Sequence, residues 1–420
     1  MIVGAGYTDR TLSETEVDDL CAEGLSRENL DGKTVLVILP DYTRSGPIDM
    51  MFRVVYRQLA GVTAKLDFLI ALGTHPPMTD DQIYTLVGIT PDEHRSTYSK
   101  ARFFNHKGKD PDQLTHAGSF SEDDIAEISG GLFHKQVDVN VNKMLFEYDH
   151  VMIIGATFPH ESMGFSGGYK YFFPGVCGEE IIDTFHWIGA LLTVPVIIGV
   201  KDTPMRRLIN RAAEFIPTER TCISLVVKGR DLHGMYIGHP LEAFSAAADL
   251  SDKIHITYMD RPYKRVLSCA PPMYDEIWTA GKCMYKLESV VADGGELIIY
   301  APDIDHLSVT YGDELEQVGY HIRDYFAKQW DRFKDYTGNT LAHSCNVRGI
   351  GTFEDGVEKP RIDVILATKM SEEYCKSISL GYCDPATIDV NEWKEREDEG
   401  LLYVPHAGEM LYLLKDNPFR

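Results

Sequence analysis

Apolar residues in this chain form short unbroken runs, and stretches with helical spacing separate them. Thr34–Leu39 (TVLVIL) is one such run, rich in β-branched residues and closed by Pro40-Asp41, which predicts a strand buried on both faces. Ile48–Leu59 follows with helical spacing, and Leu66–Leu72 (LDFLIAL) predicts a second strand ending at Gly73. A third, Val151–Ala156, stops just before Thr157-Phe158-Pro159-His160. Further on, Arg265–Ala270, a helix over about Ile277–Val291, an Asp293-Gly294-Gly295 turn and Glu296–Ala301 read as another βαβ unit. Such alternation predicts an α/β fold of two domains with mainly parallel sheets, and an active site in the cleft between them. The charged stretch TYMDRPYKR near residues 255–264 divides residues 1–258 from 259–420. Ala407–Lys415 is expected to be a last helix, able to fold back on the first domain.

Polar residues gather where the strands end, which is where open α/β sheets bind ligands. After the first strand comes Asp41-Tyr42-Thr43-Arg44-Ser45-Gly46-Pro47, and after the second Gly73-Thr74-His75-Pro76-Pro77. After the third comes His160-Glu161-Ser162-Met163-Gly164-Phe165-Ser166-Gly167-Gly168-Tyr169-Lys170, then Pro174-Gly175 and His186. The second block adds Pro271-Pro272-Met273-Tyr274-Asp275 ahead of a helix bearing Trp278, Thr279 and Lys282. Each piece has a plain structural alternative. Asp41-x-x-Arg44 is also a cap with a surface ion pair, His75 a turn histidine, and Lys170 a solvated loop lysine. His186, in Phe185-His186-Trp187, is also what a hydrogen-bonded core histidine looks like. His94, His106, His116 and His134 lie in polar loops and gain no functional reading.

Charge narrows the partners. Asp and Glu number 64 against 41 Lys and Arg, a formal charge of −23 over 420 residues. That field repels nucleic acid and anionic lipid, and an anionic substrate would need local cations to overcome it. Gly189–Val200 is the most apolar stretch, but it contains a proline and is well short of the ~20 residues a membrane span needs. The start, MIVGAGYTDRTLSETE, lacks the pattern of a signal peptide, and eight scattered cysteines form no CxxC pair. Both features predict a cytoplasmic protein with reduced thiols. Two nucleotide motifs fail on spacing. Val3-Gly4-Ala5-Gly6 carries Asp9 at the third glycine position, and Tyr171 stands where a Walker loop needs a hydroxyl for magnesium.

Taken together, DYTRSGP (41–47), GTHPP (73–77), HESMGFSGGYK (160–170), Pro174-Gly175 and His186 resemble the nickel-dependent lactate racemase family, and the resemblance spans almost the whole chain. It implies a nickel-pincer nucleotide, a pyridinium mononucleotide holding nickel through two sulfurs and one carbon. Lys170 would tether this cofactor covalently, and His186 would be the protein's nickel ligand. The cofactor-binding and catalytic domain would be 1–258, with 259–420 closing over the site. His75 and His160 would be the acid/base pair. Asp41, Thr43, Gly167 and Gly168 would line the cofactor site. Arg44 and Lys282 would face an anionic substrate and assist catalysis, with Trp278 and Thr279 beside them. The partners implied are a 2-hydroxy acid and the enzymes that make the cofactor.

This sequence departs from the family's Tyr-Gln-x-x-Lys pattern with Trp278-Thr279-Ala280-Gly281-Lys282. The shorter Thr279 favours an aliphatic, dicarboxylic or sugar acid over lactate, and for a sugar acid the reaction would be 2-epimerisation. Two other readings compete. One is a zinc hydrolase or lyase with His75, His160 and His186 as ligands. The other is a non-catalytic protein that binds a sugar acid or nucleotide.

Overall fold

The computed structural model describes residues 2–43, 46–73 and 75–420. The chain forms two compact units, and the division is not a single cut. One unit comprises residues 1–159, 165–182 and 201–254; the other comprises 160–164, 183–200 and 255–420. The expected domains, 1–258 and 259–420, were each continuous.

The first unit is built on a seven-stranded sheet. Its strands are β1 (Val3–Gly6), β2 (Thr34–Pro40), β3 (Lys65–Ala71), β4 (Ala101–Asn105), β5 (His150–Ala156), β6 (Glu219–Lys228) and β7 (Asp231–Gly238), in the order β1-β7-β6-β5-β2-β3-β4. Pairing is parallel from β6 through β5, β2 and β3 to β4, and antiparallel at β6–β7 and β7–β1. Val35–Leu39 of β2 are wholly buried, which is why this central strand reads as an unbroken apolar run. Helix α1 (Glu14–Ser26) starts at a capping box of Ser13 and Glu16, and α2 (Ile48–Leu59) buries Met51, Phe52, Val55 and Leu59 at helical spacing. From β2 the chain steps outward to β3 and β4, and from β5 outward to β6. The order therefore reverses between β2 and β5, and at such a switch point the carboxyl ends of the strands leave a crevice.

The second unit has a five-stranded parallel sheet. Its strands are β9 (Tyr263–Cys269), β10 (Val291–Tyr300), β11 (Asp363–Ala367), β12 (Gly381–Tyr382) and β13 (Leu401–Val404), in the order β12-β11-β10-β9-β13. Here the order reverses between β9 and β13. A separate parallel pair joins β8 (Ile256–Met259) to β14 (Leu411–Leu414).

Three expectations are corrected in this half. No helix occupies residues 407–415: Ala407 and Met410 form an isolated bridge and Leu411–Leu414 is a strand. The continuous helix over 277–291 is instead Ile277–Ala280, Lys282–Tyr285 and a short 3-10 turn at Glu288–Val290. Asp293-Gly294-Gly295 lies inside β10, where the register against β9 shifts, and does not turn the chain. Among the described residues no helix is long and apolar enough to cross a membrane.

Candidate functional site

In the first unit the site residues come from the crevice edge of the sheet. Asp41 directly follows β2 and is 2% exposed. Its Oδ1 accepts the Thr43 backbone N–H (3.1 Å) and hydroxyl (2.6 Å), and its Oδ2 meets His75 Nδ1. Thr43 thus anchors the carboxylate through both of its donors. His75 lies in the turn after β3, where Gly73 donates to the Gly175 carbonyl (3.0 Å), so the turn is tied to the segment just past Lys170. Arg44 lies outside the described residues.

The glycine-rich stretch returns beside the end of β5. Ser166 Oγ accepts the Phe158 N–H (3.0 Å) and donates to the Ala156 carbonyl (3.1 Å), holding the two strands of this loop together. Gly167 has φ +87°, and a Cβ there would lie 2.2 Å from Thr157 Oγ1, so only glycine fits. That Thr157 hydroxyl is buried without a hydrogen-bond partner. Gly168–Tyr171 then form a single 3-10 turn, closed by Lys170 N–H on the Gly167 carbonyl (3.2 Å), and Lys170 is half-buried in it.

Two residues without a functional reading in the sequence secure this region. Arg206, on the helix α3 (Pro204–Glu214), donates to the carbonyls of Phe165 and of Gly167. His106 sits 2.9 Å from the Cys177 carbonyl through Nε2, with Asn142 Nδ2 3.2 Å from its Nδ1. The amide donates to Nδ1, so Nε2 carries the proton and donates to Cys177. Burial pushes the His106 pKa down to about 4, which keeps the ring neutral. The only signal for Arg206 was the phase of α3, where buried Met205, Leu208, Ile209 and Ala212 put it at the edge of the apolar stripe.

The second unit contributes its own set. His160 Nδ1 accepts the Ser162 N–H (3.2 Å) and lies 3.4 Å from Glu161 Oε2. His186 is half-buried on the helix Glu179–Leu192, between buried Phe185 and Trp187. Trp187 stacks on Trp330 with centroids 5.3 Å apart, which fixes the helix rotation that His186 shares. At the switch point between β9 and β13, Ala407 donates to the Cys269 carbonyl (2.9 Å), and the Lys282 ammonium lies 5.0 Å from the Tyr274 ring centre. One turn on, Lys286 is buried with Nζ on the Glu409 carbonyl (3.0 Å). Burial above all, and then the charge of Lys282, pushes its pKa down to about 8, against the opposing pull of Glu161 and Glu409. Trp278 is held by Tyr311 and His343, with ring centres 4.4 and 4.2 Å away. Thr279 Oγ donates to its own chain at the Glu276 carbonyl (3.0 Å), which leaves the hydroxyl only as an acceptor.

The structure therefore brings Asp41, Thr43 and His75 into direct contact and sets Gly167, Gly168 and Lys170 on the same sheet edge. It also groups Trp278, Thr279 and Lys282 on one stretch. Among the described residues no group of three or more His, Cys, Asp or Glu side chains forms a metal site.

Two mainly parallel sheets with polar strand-end loops define an α/β protein of the kind that holds a small ligand at sheet switch points. Residues 18–193 match the lactate racemase N-terminal domain. Two lactate racemases are similar in sequence. The one from Thermoanaerobacterium thermosaccharolyticum is 22% identical over 65% of this chain and 61% of its own length, and the one from Lactiplantibacillus plantarum is 25% identical over 69% and 65%. The chain thus matches less than two thirds of either relative. Among solved structures, a Thermotoga maritima protein is 34% identical with a TM-score of 0.86, covering 98% of this chain and 100% of its own. The lactate racemase apoprotein from T. thermosaccharolyticum has the same fold, with a TM-score of 0.72 at 18% identity over 96% of this chain and 93% of its own. The likeness to lactate racemases thus rests on the family model over residues 18–193 and on two relatives matched over about two thirds of this chain.

Proposed function

We propose that this protein is a racemase or epimerase that inverts C2 of a 2-hydroxy acid, with a nickel-pincer nucleotide attached at Lys170 and His186 as the nickel ligand. The residues fit such a group. Lys170 sits on a turn that only glycine can open, beside an unsatisfied buried hydroxyl at Thr157. The metal needs one protein ligand here because the cofactor brings the other donors. The zinc reading needs three, and no such group occurs among the described residues. Such a group, held by Lys170 and His186, would supply the hydride acceptor that inversion at C2 needs.

The observation that carries the reading is the Asp41–His75 pair. A buried carboxylate at Nδ1 holds the proton there and leaves the Nε2 lone pair to take the substrate's hydroxyl proton. His160 is wired the other way. Its Nδ1 accepts a backbone N–H in the neutral ring, whose proton is then on Nε2, and it lies 3.4 Å from Glu161 Oε2, which would support the imidazolium that gives the Nε2 proton up. One ring is thus poised as base and the other as acid, as inversion through a flat 2-keto acid requires. Lys282 supplies a cation for the substrate carboxylate in a strongly acidic protein, and Arg44 is assigned to the same task. A non-catalytic binding protein would have no use for two histidines in complementary tautomers.

Thr279 in place of glutamine favours an acid bulkier than lactate beyond C2. We further assign the protein to the cytoplasm, with the cofactor-making enzymes as partners and without nucleic acid or membrane. The test is to incubate cofactor-loaded protein with a panel of enantiopure 2-hydroxy acids and to follow each by chiral chromatography. Inversion of at least one is expected. If protein verified to carry nickel and the adduct inverts none, the proposal is wrong.

A further inference from the structure

A buried guanidinium without a carboxylate stands out in the first unit. Arg206 is 2% exposed. Its hydrogen bonds run to the carbonyls of Gly167 (3.0 Å) and Phe165, its plane lies 3.9 Å from the ring centre of Phe244, and its Nε has no partner. Isolating a cation from water is among the most expensive arrangements a fold can contain, and the usual compensation is an acidic partner. No salt bridge is formed by Arg206 among the described residues. Burial also pushes its pKa down to about 9, in keeping with a charge held against the surroundings.

The placement of the two bonds explains why the cation is kept. The Gly167 carbonyl also accepts the Lys170 N–H, at 3.2 Å, so the same oxygen ends the loop and begins the turn that presents Lys170. Gly167 and Gly168 both have positive φ, and glycines at such positions leave the backbone few restraints of its own. The restraint comes from outside the loop, and Arg206 supplies it at two carbonyls two residues apart. A planar fork is suited to this, since both donors are set by one rigid group. Thr203, whose side chain accepts the Arg206 backbone N–H at 3.0 Å, starts the helix at this point and so sets where the guanidinium emerges.

We infer that Arg206 is a positioning residue for Lys170: by clamping the Phe165 and Gly167 carbonyls it fixes the turn from which Lys170 makes its covalent link. The inference rests on Lys170 being the tether, and the experiment is arranged so that the two ideas fail separately. Four variants are compared with the wild type, namely Arg206→Met, Arg206→Lys, Leu208→Ala and Lys170→Ala. Leu208 is fully buried on the same helix and its side chain can form no hydrogen bond, so its truncation destabilises the unit while leaving the Arg206 donors in place.

In protein made without cofactor, the rate at which an amine-acylating reagent labels Lys170 is measured by peptide mass spectrometry, with other lysines as internal standards. In protein made with the maturation enzymes, the fraction carrying the adduct is read by intact mass. Arg206→Met should change the Lys170 labelling rate and lower the adduct fraction by about tenfold, the scale of effect expected when a reacting group is misplaced. Arg206→Lys, which keeps one donor and the charge, should recover much of both. Leu208→Ala should keep both despite a lower melting temperature. If Leu208→Ala loses labelling and adduct in step with its stability, or Arg206→Met keeps both, the clamp is refuted. If Arg206→Met does not fold, the comparison of Arg206→Lys with Leu208→Ala decides in the same way. An adduct that survives in Lys170→Ala would overturn the tether, while the labelling rates would still report on the clamp.

Discussion

Replacing Asp41 by asparagine is the sharpest perturbation of the proposed acid/base pair, because the structure dictates which way the new amide must face. Asp41 Oδ1 holds two donors from Thr43, at 3.1 and 2.6 Å. An asparagine must keep its oxygen there, since turning the amide would set N–H against N–H. Its NH2 then lies where Oδ2 met His75 Nδ1 and can only donate. The ring must move its proton to Nε2, which removes the lone pair proposed to act as base. The native bond joins a carboxylate 2% exposed to a ring N–H, and hydrogen bonds to charged groups are worth about 1.5–3 kcal/mol. Reversing a preference of that size depletes the productive tautomer by about one to two factors of ten. Losing the carboxylate also removes its support for the imidazolium that forms as the proton is taken. Together these put the loss in kcat within the ~10²–10⁴-fold range of general acid–base catalysis, with KM changed far less.

Two assays check this. Initial rates on the best 2-hydroxy acid give kcat and KM for loaded protein. Nitrogen-15 spectra of the histidine rings in cofactor-free protein report the tautomer directly. The isosteric Asp41→Asn is expected to be at least as damaging as Asp41→Ala, which imposes no tautomer. Asp41→Asn with kcat within about threefold of wild type, or with His75 still protonated at Nδ1, would refute the argument.

Other outcomes follow from the same structure. His186→Ala should lose nickel, measured by elemental analysis of loaded protein, while its melting curve stays near wild type; a destabilised protein that keeps nickel would make His186 a core residue. Thr279→Gln should raise the kcat/KM ratio of lactate to the best panel substrate, and an unmutated enzyme that already prefers lactate would remove the basis for that shift. Stability should fall in mild acid. Burial holds His106 and His150 down to about 4 and His343 to about 3, against about 6.5 in the unfolded chain. Between those values the unfolded state binds protons that the folded state refuses, so stability is fully present above pH 6.5 and declines as pH drops through the window. The upper figure is roughly 3 kcal/mol for His106 or His150 and more for His343, and His106→Gln should flatten the decline in urea melts taken from about pH 7 to 4.5.

The strands of the first sheet were legible because central parallel strands are buried on both faces. Runs such as Val35–Leu39 have no polar position to interrupt them. The strand-end loops were legible for a related reason, since polar residues crowd where buried strands stop. What failed was local. The apolar residues of 277–291 have helical spacing, but Gly281 approaches so closely that a Cβ would lie 2.8 Å from Val347 and 3.0 Å from His343. That contact, far away in sequence, breaks the element into short turns. Leu411–Leu414 is a four-residue apolar run, and runs of that length do not separate strand from helix until the partner is known. Its partner, Ile256–Met259, lies more than 150 residues earlier. The roles of Arg206 and His106 were hidden for another reason. What each does is set by the carbonyls it meets, and a sequence shows side chains but not where main-chain oxygens point.

The interleaved composition of the two units bears on how the chain is made. Residues 160–164 and 183–200 leave the ribosome early, yet they belong to a body completed only when the final strands arrive. Trp187 waits for Trp330, and Leu191 offers its carbonyl to an arginine, Arg323, synthesised more than 130 residues later. A nascent chain stopped near residue 254 would therefore hold Asp183–Val200 without the partners of its own unit, Trp330 and Arg323 among them. Co-translational folding of the first unit is left with two unfinished insertions, and these carry His160 and His186. Assembly of the proposed catalytic set thus waits for residues beyond 254, and a cofactor supplied before that point would meet the proposed tether without the proposed metal ligand in place.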